Sequence, residues 1–238
     1  MKAKILILIP TLNEVHHIPI LYKKILALKQ NFDFLFIDDA SSDGTWEIIE
    51  KIKKSKKKKI FTISRKKRLG LGKAHKDGLL FAYKKKYPYL ITMDSDLAHD
   101  PKYISKLLKN IKYSDLALGS RYLEKNSTPN WPVFRIFLSH GAHMVSKILF
   151  GHNFDSTNAF RCYNLKKIKK NFIYLCKSND YDFFFTSLNI LNLQKYKISQ
   201  FPMIIKLRVK GNSKMLFSHV CKSIYRMFAL FFKIKFKF

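Results

Sequence analysis

Apolar and polar positions follow two periods along the first hundred residues. Residues 4–10 (KILILIP), 32–37 (FDFLFI), 59–64 (KIFTIS) and 89–93 (YLITM) are short, largely apolar runs. Runs of this length, rich in Ile, Leu and Phe, predict strands buried on both faces. Between them the period lengthens to that of a helix. One helix is expected from the polar break Thr11-Leu12-Asn13-Glu14 to about Lys29, and another opens at Arg68-Leu69-Gly70-Leu71-Gly72-Lys73. Strands alternating with helices predict an α/β fold with a parallel sheet and right-handed crossovers.

The ends of these strands carry the chemistry. Asp38-Asp39-Ala40-Ser41-Ser42-Asp43-Gly44-Thr45 follows the second, and Asp94 and Asp96 follow the fourth. In open α/β sheets ligands bind outside the carboxyl ends of the strands. Two aspartates there can hold a hard divalent cation, and the cation can hold a diphosphate. A lone D-x-D also fits a polar strand end, with Asp100-Pro101 as cap and first residue of the next helix. The recurrence of acidic residues at successive strand ends favours the ligand site. Asp43 reads better as a helix cap than as a ligand, and Glu14 fits both roles. Gly70-Leu71-Gly72 is too short for a dinucleotide fingerprint. It suits close backbone approach at a helix start, with Arg68 and Lys73 near phosphate.

IPTLNE, IDDASSDGT, RLGLGKAHKDG, MDSDLAHDP, GSRY, NWPVFR and RVKGNSKM occur in this order over roughly residues 4–215. The set resembles the inverting family 2 glycosyltransferases, and within them the polyprenyl-phosphate (dolichyl-phosphate) mannose synthases. The resemblance implies a GT-A, Rossmann-like, mostly parallel sheet flanked by helices, in a single domain with interfacial helical elements. It implies nucleotide binding by Pro10, Leu12, Glu14, Asp38 and Asp39. Asp96 would ligate Mg²⁺ or Mn²⁺, with Asp94 touching the metal or the sugar nucleotide. Arg121 and Arg135 would hold the acceptor phosphate with Ser139, one turn past Arg135. Arg208 and Lys214 would close over the donor diphosphate.

The acceptor expectation has a chemical basis. Transfer to a hydroxyl needs a general base. A lipid monophosphate has a second pKa near ~6 and is already anionic at neutral pH. Such a site needs cations, and the guanidinium fork grips two phosphate oxygens at once.

Three departures bear on this. Where such enzymes often carry Gln or Ser two positions after the second aspartate, Ala98 stands, so water or His99 would complete a metal shell. Thr157-Asn158-Ala159-Phe160-Arg161 replaces a pair of glycines before Phe-Arg. Residues 180–186 (DYDFFFT) lack the acidic residue that usually follows Gly-Tyr-x-Phe. The sugar is therefore less firmly implied than the reaction. The expected reaction moves a hexose, mannose from GDP-mannose, onto a polyprenyl monophosphate. UDP-glucose-dependent transfer to a polyprenyl phosphate or polysaccharide is one alternative. A non-catalytic, polyanion-binding module on the same fold is another.

Composition adds a surface. The 238 residues carry 46 Lys and Arg against 16 Asp and Glu, a formal charge of +30. That balance favours polyanionic surroundings such as an anionic membrane surface. No helix-turn-helix, zinc-finger or RNP-like pattern is present, so no nucleic-acid partner is expected. Cys162, Cys176 and Cys221 form no C-x-x-C and fit reduced thiols in the cytoplasm. No apolar run reaches the ~18 residues of a span. Residues 131–150 and 214–238 are instead apolar with basic flanks. The first is expected as a helix or helix pair against a membrane surface. The second, following a transferase domain over 1–213, fits either an interfacial anchor or a last helix packed on the domain. Peripheral attachment to a cytoplasmic membrane face is the resulting expectation, with room for a membrane-anchoring partner protein.

Overall fold

The structure is a computed structural model that describes residues 4–55, 57–206 and 225–232. Seven strands form one sheet: β1 (Ile5–Thr11), β2 (Phe32–Asp38), β3 (Ile60–Ser64), β4 (Tyr89–Thr92), β5 (Leu116–Ser120), β6 (Arg161–Asn164) and β7 (Ile198–Pro202). The helices are α1 (His17–Leu26), α2 (Thr45–Lys54), α3 (Leu71–Lys84), α4 (Ile104–Asn110), α5 (Val133–Phe150), α6 (Asn171–Leu175) and α7 (Asp182–Leu193). Residues 225–232 add a further helical stretch.

The sheet order is β3-β2-β1-β4-β6-β5-β7. Its strands run parallel except β6, which lies antiparallel between β4 and β5. The mostly parallel sheet expected from the sequence is borne out, with β6 as its antiparallel member. β6 reads RCYN, and neither its length nor its composition signals a strand. Its Arg161 is fully buried. The guanidinium donates to the carbonyls of Asn158, Ser156 and Phe184 and to Ser187 Oγ.

Both faces of the sheet are covered, which explains the unbroken apolar runs. Along β1, Ile5, Ile7 and Ile9 join one core with Phe34, Phe36 and Ile91, beneath Leu21, Ile25 and Ile49 of α1 and α2. Leu6 and Leu8 join the other core with Leu35, Ile37 and Leu90, against Ala74, Leu79 and Phe183 of α3 and α7. Successive strand side chains point to opposite faces, so neither face tolerates polarity. Each such buried side chain contributes roughly 1.5–3 kcal/mol.

Some expected boundaries shift. α1 stops at Leu26 rather than near Lys29, and Lys29 itself takes a left-handed φ of 51°. Asp100 caps a short 3-10 turn, Pro101–Tyr103, accepting from the Lys102 N–H at 3.1 Å. Within residues 131–150 there is one helix, Val133–Phe150, rather than a pair. Trp131 lies outside it and is buried, while Val133, Phe134, Phe137, Met144 and Ile148 are exposed. The expected domain boundary at 213/214 lies outside the described residues.

Candidate active site

The carboxyl ends of β1, β2, β4 and β5 open onto one cavity of about 570 Å³. Pro10, Leu12, Glu14, Asp39, Asp94, Asp96, Arg121, Arg135 and Ser139 all line it. Asp38 does not. It is buried, and its carboxylate accepts from Thr11 Oγ1 (2.9 Å), Ser41 N (3.0 Å) and Ser41 Oγ (2.5 Å). The nucleotide contact expected of Asp38 gives way to a role as strut between two strand ends. Arg208 and Lys214 lie outside the described residues.

Asp39 ties the second strand end to the start of α3. Its carboxylate accepts from Arg65 Nη1 (2.8 Å), Leu69 N (2.9 Å) and Gly70 N (3.0 Å). Burial raises the Asp39 carboxyl, but these donors outweigh it and the net direction is downward. Gly70 is required there. Its φ is +96°, and a Cβ would lie 2.5 Å from the Asn179 carbonyl oxygen. The glycine pair thus serves close approach of α3 to the 179–180 loop. Lys73 is spent on Asp77 at 2.5 Å, while Arg68 lines the cavity. Asp43 accepts from Val15 N, Thr45 N and Thr45 Oγ1, holding the first turn of α2.

The D-x-D segment turns sharply at Leu97, whose φ of 64° is rare for a branched residue. Asp96 Oδ1 accepts from Ala98 N at 3.1 Å, an Asx turn that fixes its carboxylate at the cavity wall. His99 Nδ1 accepts from Asp94 N at 3.2 Å and sits 3.6 Å from Asp94 Oδ2. Among the described residues no cluster of three or more His, Cys, Asp or Glu side chains is placed to hold a metal ion. Asp94 and Asp96 nevertheless fit a Mg²⁺- or Mn²⁺-type donor set. Such ions bind through one or two carboxylates, completing the shell with waters and substrate phosphate oxygens. Ala98 contributes no side-chain ligand.

Across the cavity lies a cationic corner. Arg121 donates through Nε and Nη2 to both oxygens of Asp155, each at 2.9 Å, and through Nη2 to Thr157 Oγ1. Asp155 is fully buried and also accepts the Arg121 backbone N–H at 3.2 Å. Burial works against both charges. The pairing outweighs it, holding the Asp155 carboxyl down and the Arg121 guanidinium up. Arg135 lies face-on over the Trp131 ring, 3.8 Å from its centre, with Arg121 at 5.8 Å from the same ring. Partial burial and the Arg121 charge both push the Arg135 guanidinium down, and Asp96 pulls it back up. Ser139 Oγ lies 2.8 Å from Tyr122 Oη, and the His143 ring stacks on Tyr122 at 3.7 Å.

The sequence reading did not find Asp155, Thr157, Trp131 or Tyr122 as working parts of this corner. A signal existed for Asp155. A chain with 16 acidic residues has few partners for a buried arginine. The tertiary contact, 34 residues away, has no local pattern. The Thr157-Asn158-Ala159 departure is accommodated by Asn158. Its Nδ2 donates to Gly119 O, and its Oδ1 accepts from Phe160 N. In the 180–186 departure, Asp182 lines the cavity.

Comparison with known proteins agrees with this geometry. The profile of "Glycosyl transferase family 2" matches residues 6–175. A polyprenol monophosphomannose synthase of Mycolicibacterium smegmatis is 28% identical over 93% of this chain and 84% of its own length. An undecaprenyl-phosphate mannosyltransferase of Micrococcus luteus is 28% identical over 89% and 87%. A dolichol-phosphate mannosyltransferase of Pyrococcus furiosus is 32% identical over 94% of this chain and 63% of its own. Among solved structures, glucosyl-3-phosphoglycerate synthase of Mycobacterium tuberculosis superposes with a TM-score of 0.67. At 16% identity, over 96% of this chain and 78% of that one, it shows the shared GT-A fold. The match of the family profile along most of the sheet, with D-x-D at the end of β4, makes the chain a glycosyltransferase belonging to glycosyl transferase family 2.

Proposed function

We propose that the protein transfers a hexose, mannose from GDP-mannose, onto a polyprenyl monophosphate, inverting the anomeric carbon. The observation that carries this reading is the pair Arg121 and Arg135 lining one cavity with Asp94 and Asp96. The two guanidiniums share one corner over the Trp131 ring, and the Arg121 charge already disfavours that of Arg135; a bound dianion relieves this, and a phosphate monoester supplies one. The names of the three relatives support the same acceptor class and sugar.

In this reading Pro10, Leu12, Glu14 and Asp39 border the nucleoside. Arg135 grips the acceptor phosphate. Arg121, held by Asp155, contributes charge and a fixed edge. Ser139 and Tyr122 add hydroxyls. The phosphate oxygen attacks C1 of the sugar, and the C1–O bond to the diphosphate breaks. The bonding pair leaves with the nucleoside diphosphate. No proton has to be removed from the nucleophile, so no general base is called for. Asp96 and Asp94 would hold the divalent cation, which when bound neutralises charge on the leaving diphosphate. Two of the similar fold structures contain UDP with Mn²⁺ or Mg²⁺, which supports metal dependence. UDP-glucose is the second donor to test, since Ala98 and residues 157–159 alter the sugar end.

The exposed face of α5 supports a peripheral position. Val133, Phe134, Phe137, Met144 and Ile148 are open to solvent on the helix that carries Arg135 and Ser139. No helix among the described residues is long and apolar enough to cross a membrane. Shallow insertion of this face at an anionic, cytoplasmic leaflet would bring a lipid phosphate to the cavity.

The test is transfer of radiolabelled sugar from GDP-mannose and from UDP-glucose to undecaprenyl phosphate, with and without EDTA. Metal-dependent mannosyl transfer is expected. Asp96→Asn should lower it by about 100-fold, on the order of losing one charge-stabilising contact. Transfer to a hydroxyl acceptor instead, or full turnover in EDTA, would overturn the reading.

A further inference from the structure

Glu14 lines the cavity, yet it is only 3% exposed. Three anchors fix it. Its backbone N–H donates to Thr45 Oγ1 at 2.7 Å, and that hydroxyl in turn donates to Asp43 Oδ1 at 2.5 Å. Its carbonyl accepts from the N–H groups of His17 and Ile18 at 2.9 and 3.1 Å, which starts α1. Its carboxylate Oε2 lies 2.7 Å from His17 Nδ1. A carboxylate can only accept, so Nδ1 carries the hydrogen. The preceding residue is held as firmly. Asn13 takes a left-handed φ of 53°. Its N–H donates to Ser41 Oγ and its Oδ1 accepts from Ser42 N, each at 2.9 Å.

His17 stands behind this arrangement. It is 5% exposed and is not among the described residues that line the cavity. Its Nε2 is buried, with no hydrogen-bond partner among the described residues. A buried polar atom left unpaired is unfavourable, and native proteins keep few of them. An aliphatic side chain would fill the same space without that cost. What the imidazole supplies in return is the short bond from Nδ1 to Glu14. That bond is not a helix cap, because it joins two side chains. The first N–H groups of α1 are received by the Glu14 carbonyl instead. The beneficiary is therefore the carboxylate that borders the cavity.

A glutamate carboxylate turns easily about its last bond, where the preferences are broad. Holding one oxygen fixes the direction of the group. A nucleoside presents N–H and O–H donors, and their hydrogen bonds to a carboxylate weaken steeply once misaligned.

We propose that His17 is a positioning residue for the donor: it orients the Glu14 carboxylate and through it sets affinity for the nucleoside part of the sugar nucleotide. His17 itself touches no substrate. This rests on the reading of Glu14 as a border of the nucleoside and adds a residue that the cavity wall does not show.

The test measures binding of GDP-mannose and of UDP-glucose to the full chain with Mg²⁺, by calorimetry, beside kcat and the KM of donor and acceptor. His17→Leu keeps bulk and removes the bond. It should weaken donor binding about tenfold, the size of one hydrogen bond to a charged group. Both kcat and acceptor KM should stay within about twofold. The amide nitrogen of asparagine can take the place of Nδ1. His17→Asn should therefore recover most of the affinity, although it fills the space less well. A ring kept only for packing predicts the reverse order. In a Glu14→Gln background, His17→Leu should add little. Should His17→Leu prove unfolded by circular dichroism, histidine-labelled ¹⁵N spectra of the wild type decide. The His17 signal, assigned by its absence in His17→Asn, should shift when donor binds.

Unchanged affinity in His17→Leu, an asparagine variant no better than the leucine one, an undiminished loss in the Glu14→Gln background, or a His17 signal unmoved by bound donor would overturn the proposal. A wild type that binds neither nucleotide sugar would overturn the donor reading of the cavity, and this inference with it. A wild type that binds UDP-glucose but not GDP-mannose corrects the donor alone, and the same variants measured with UDP-glucose then decide on His17.

Discussion

Arg121 and Arg135 look interchangeable in the sequence, yet their surroundings divide the labour. Arg121 is committed to a fully buried carboxylate, and Arg135 lies over an indole ring and lines the cavity. Substitution should separate these roles. Asp155→Asn strands a buried guanidinium, and breaking such a pair costs about 3–5 kcal/mol. For a chain of this size that corresponds to a fall in Tm of roughly 6–20 °C. Arg135→Lys keeps the charge and loses the two-pronged grip. Its Tm should hold, while KM for the lipid phosphate rises about tenfold and donor KM stays put. Thermal melts and acceptor titrations on the two variants check both statements. A stable Asp155→Asn protein would mean that Arg121 is not held as described. Of this corner, the arginines were legible because GSRY and NWPVFR are local strings. Asp155 and Trp131 were not, because a buried ion pair and a ring stack are set by packing between distant segments. Asp38 misled for the converse reason. A carboxylate at a strand end resembles a ligand until Thr11 and Ser41 are seen to occupy it.

At the scale of elements, strands β1 to β4 were legible because burial on both faces leaves an uninterrupted apolar run. β6 was not, since its buried Arg161 is satisfied by four hydrogen bonds that no string of letters announces. The outer helix was legible as an apolar stretch over 131–150, but not its division into a buried Trp131 and an exposed face. α3 carries a further property of this kind. His75 is fully buried between Phe183 and Phe184, and among the described residues neither ring nitrogen finds a hydrogen-bond partner. Burial, reinforced by the Arg161 and His99 charges, brings its pKa from 6.5 down to about 3. The unfolded chain therefore binds a proton that the fold refuses. The stabilising contribution is complete above pH ~6.5 and is lost as pH falls toward 3, by about 1.4 kcal/mol per unit. Between pH 7 and pH 5 the loss should be about 2 kcal/mol. His75→Leu should be less acid-sensitive by that difference, read from urea midpoints at the two pH values. Parallel curves for the two proteins would remove His75 from the account.

At the scale of the whole molecule, a charge of +30 and the exposed apolar face of α5 act over different ranges. Attraction to an anionic leaflet is screened within about 8 Å at physiological salt, whereas buried apolar area is indifferent to it. Sedimentation with anionic liposomes should weaken as salt rises and then level off. Phe137→Glu, placed outside the cavity, should abolish the salt-resistant remainder while transfer to a short soluble acceptor persists. Salt-resistant binding unchanged in that variant would withdraw α5 from the membrane. Removal of the C-terminal residues is not a clean test of attachment, because Met227 lines the cavity.

The placement of two sulfurs has a consequence of another sort. Cys162 occupies the middle of β6, paired with Ile91 on one side and Ala117 on the other, and Cys176 closes α6. Burial raises both thiols, Cys176 to about 12. Neither forms a thiolate while its surroundings stay shut. Among the described residues the protein therefore carries two native stopwatches, one inside the sheet on β6 and one at its helical corner. The rate at which an alkylating reagent consumes each would time the breathing of those regions separately, with no label introduced.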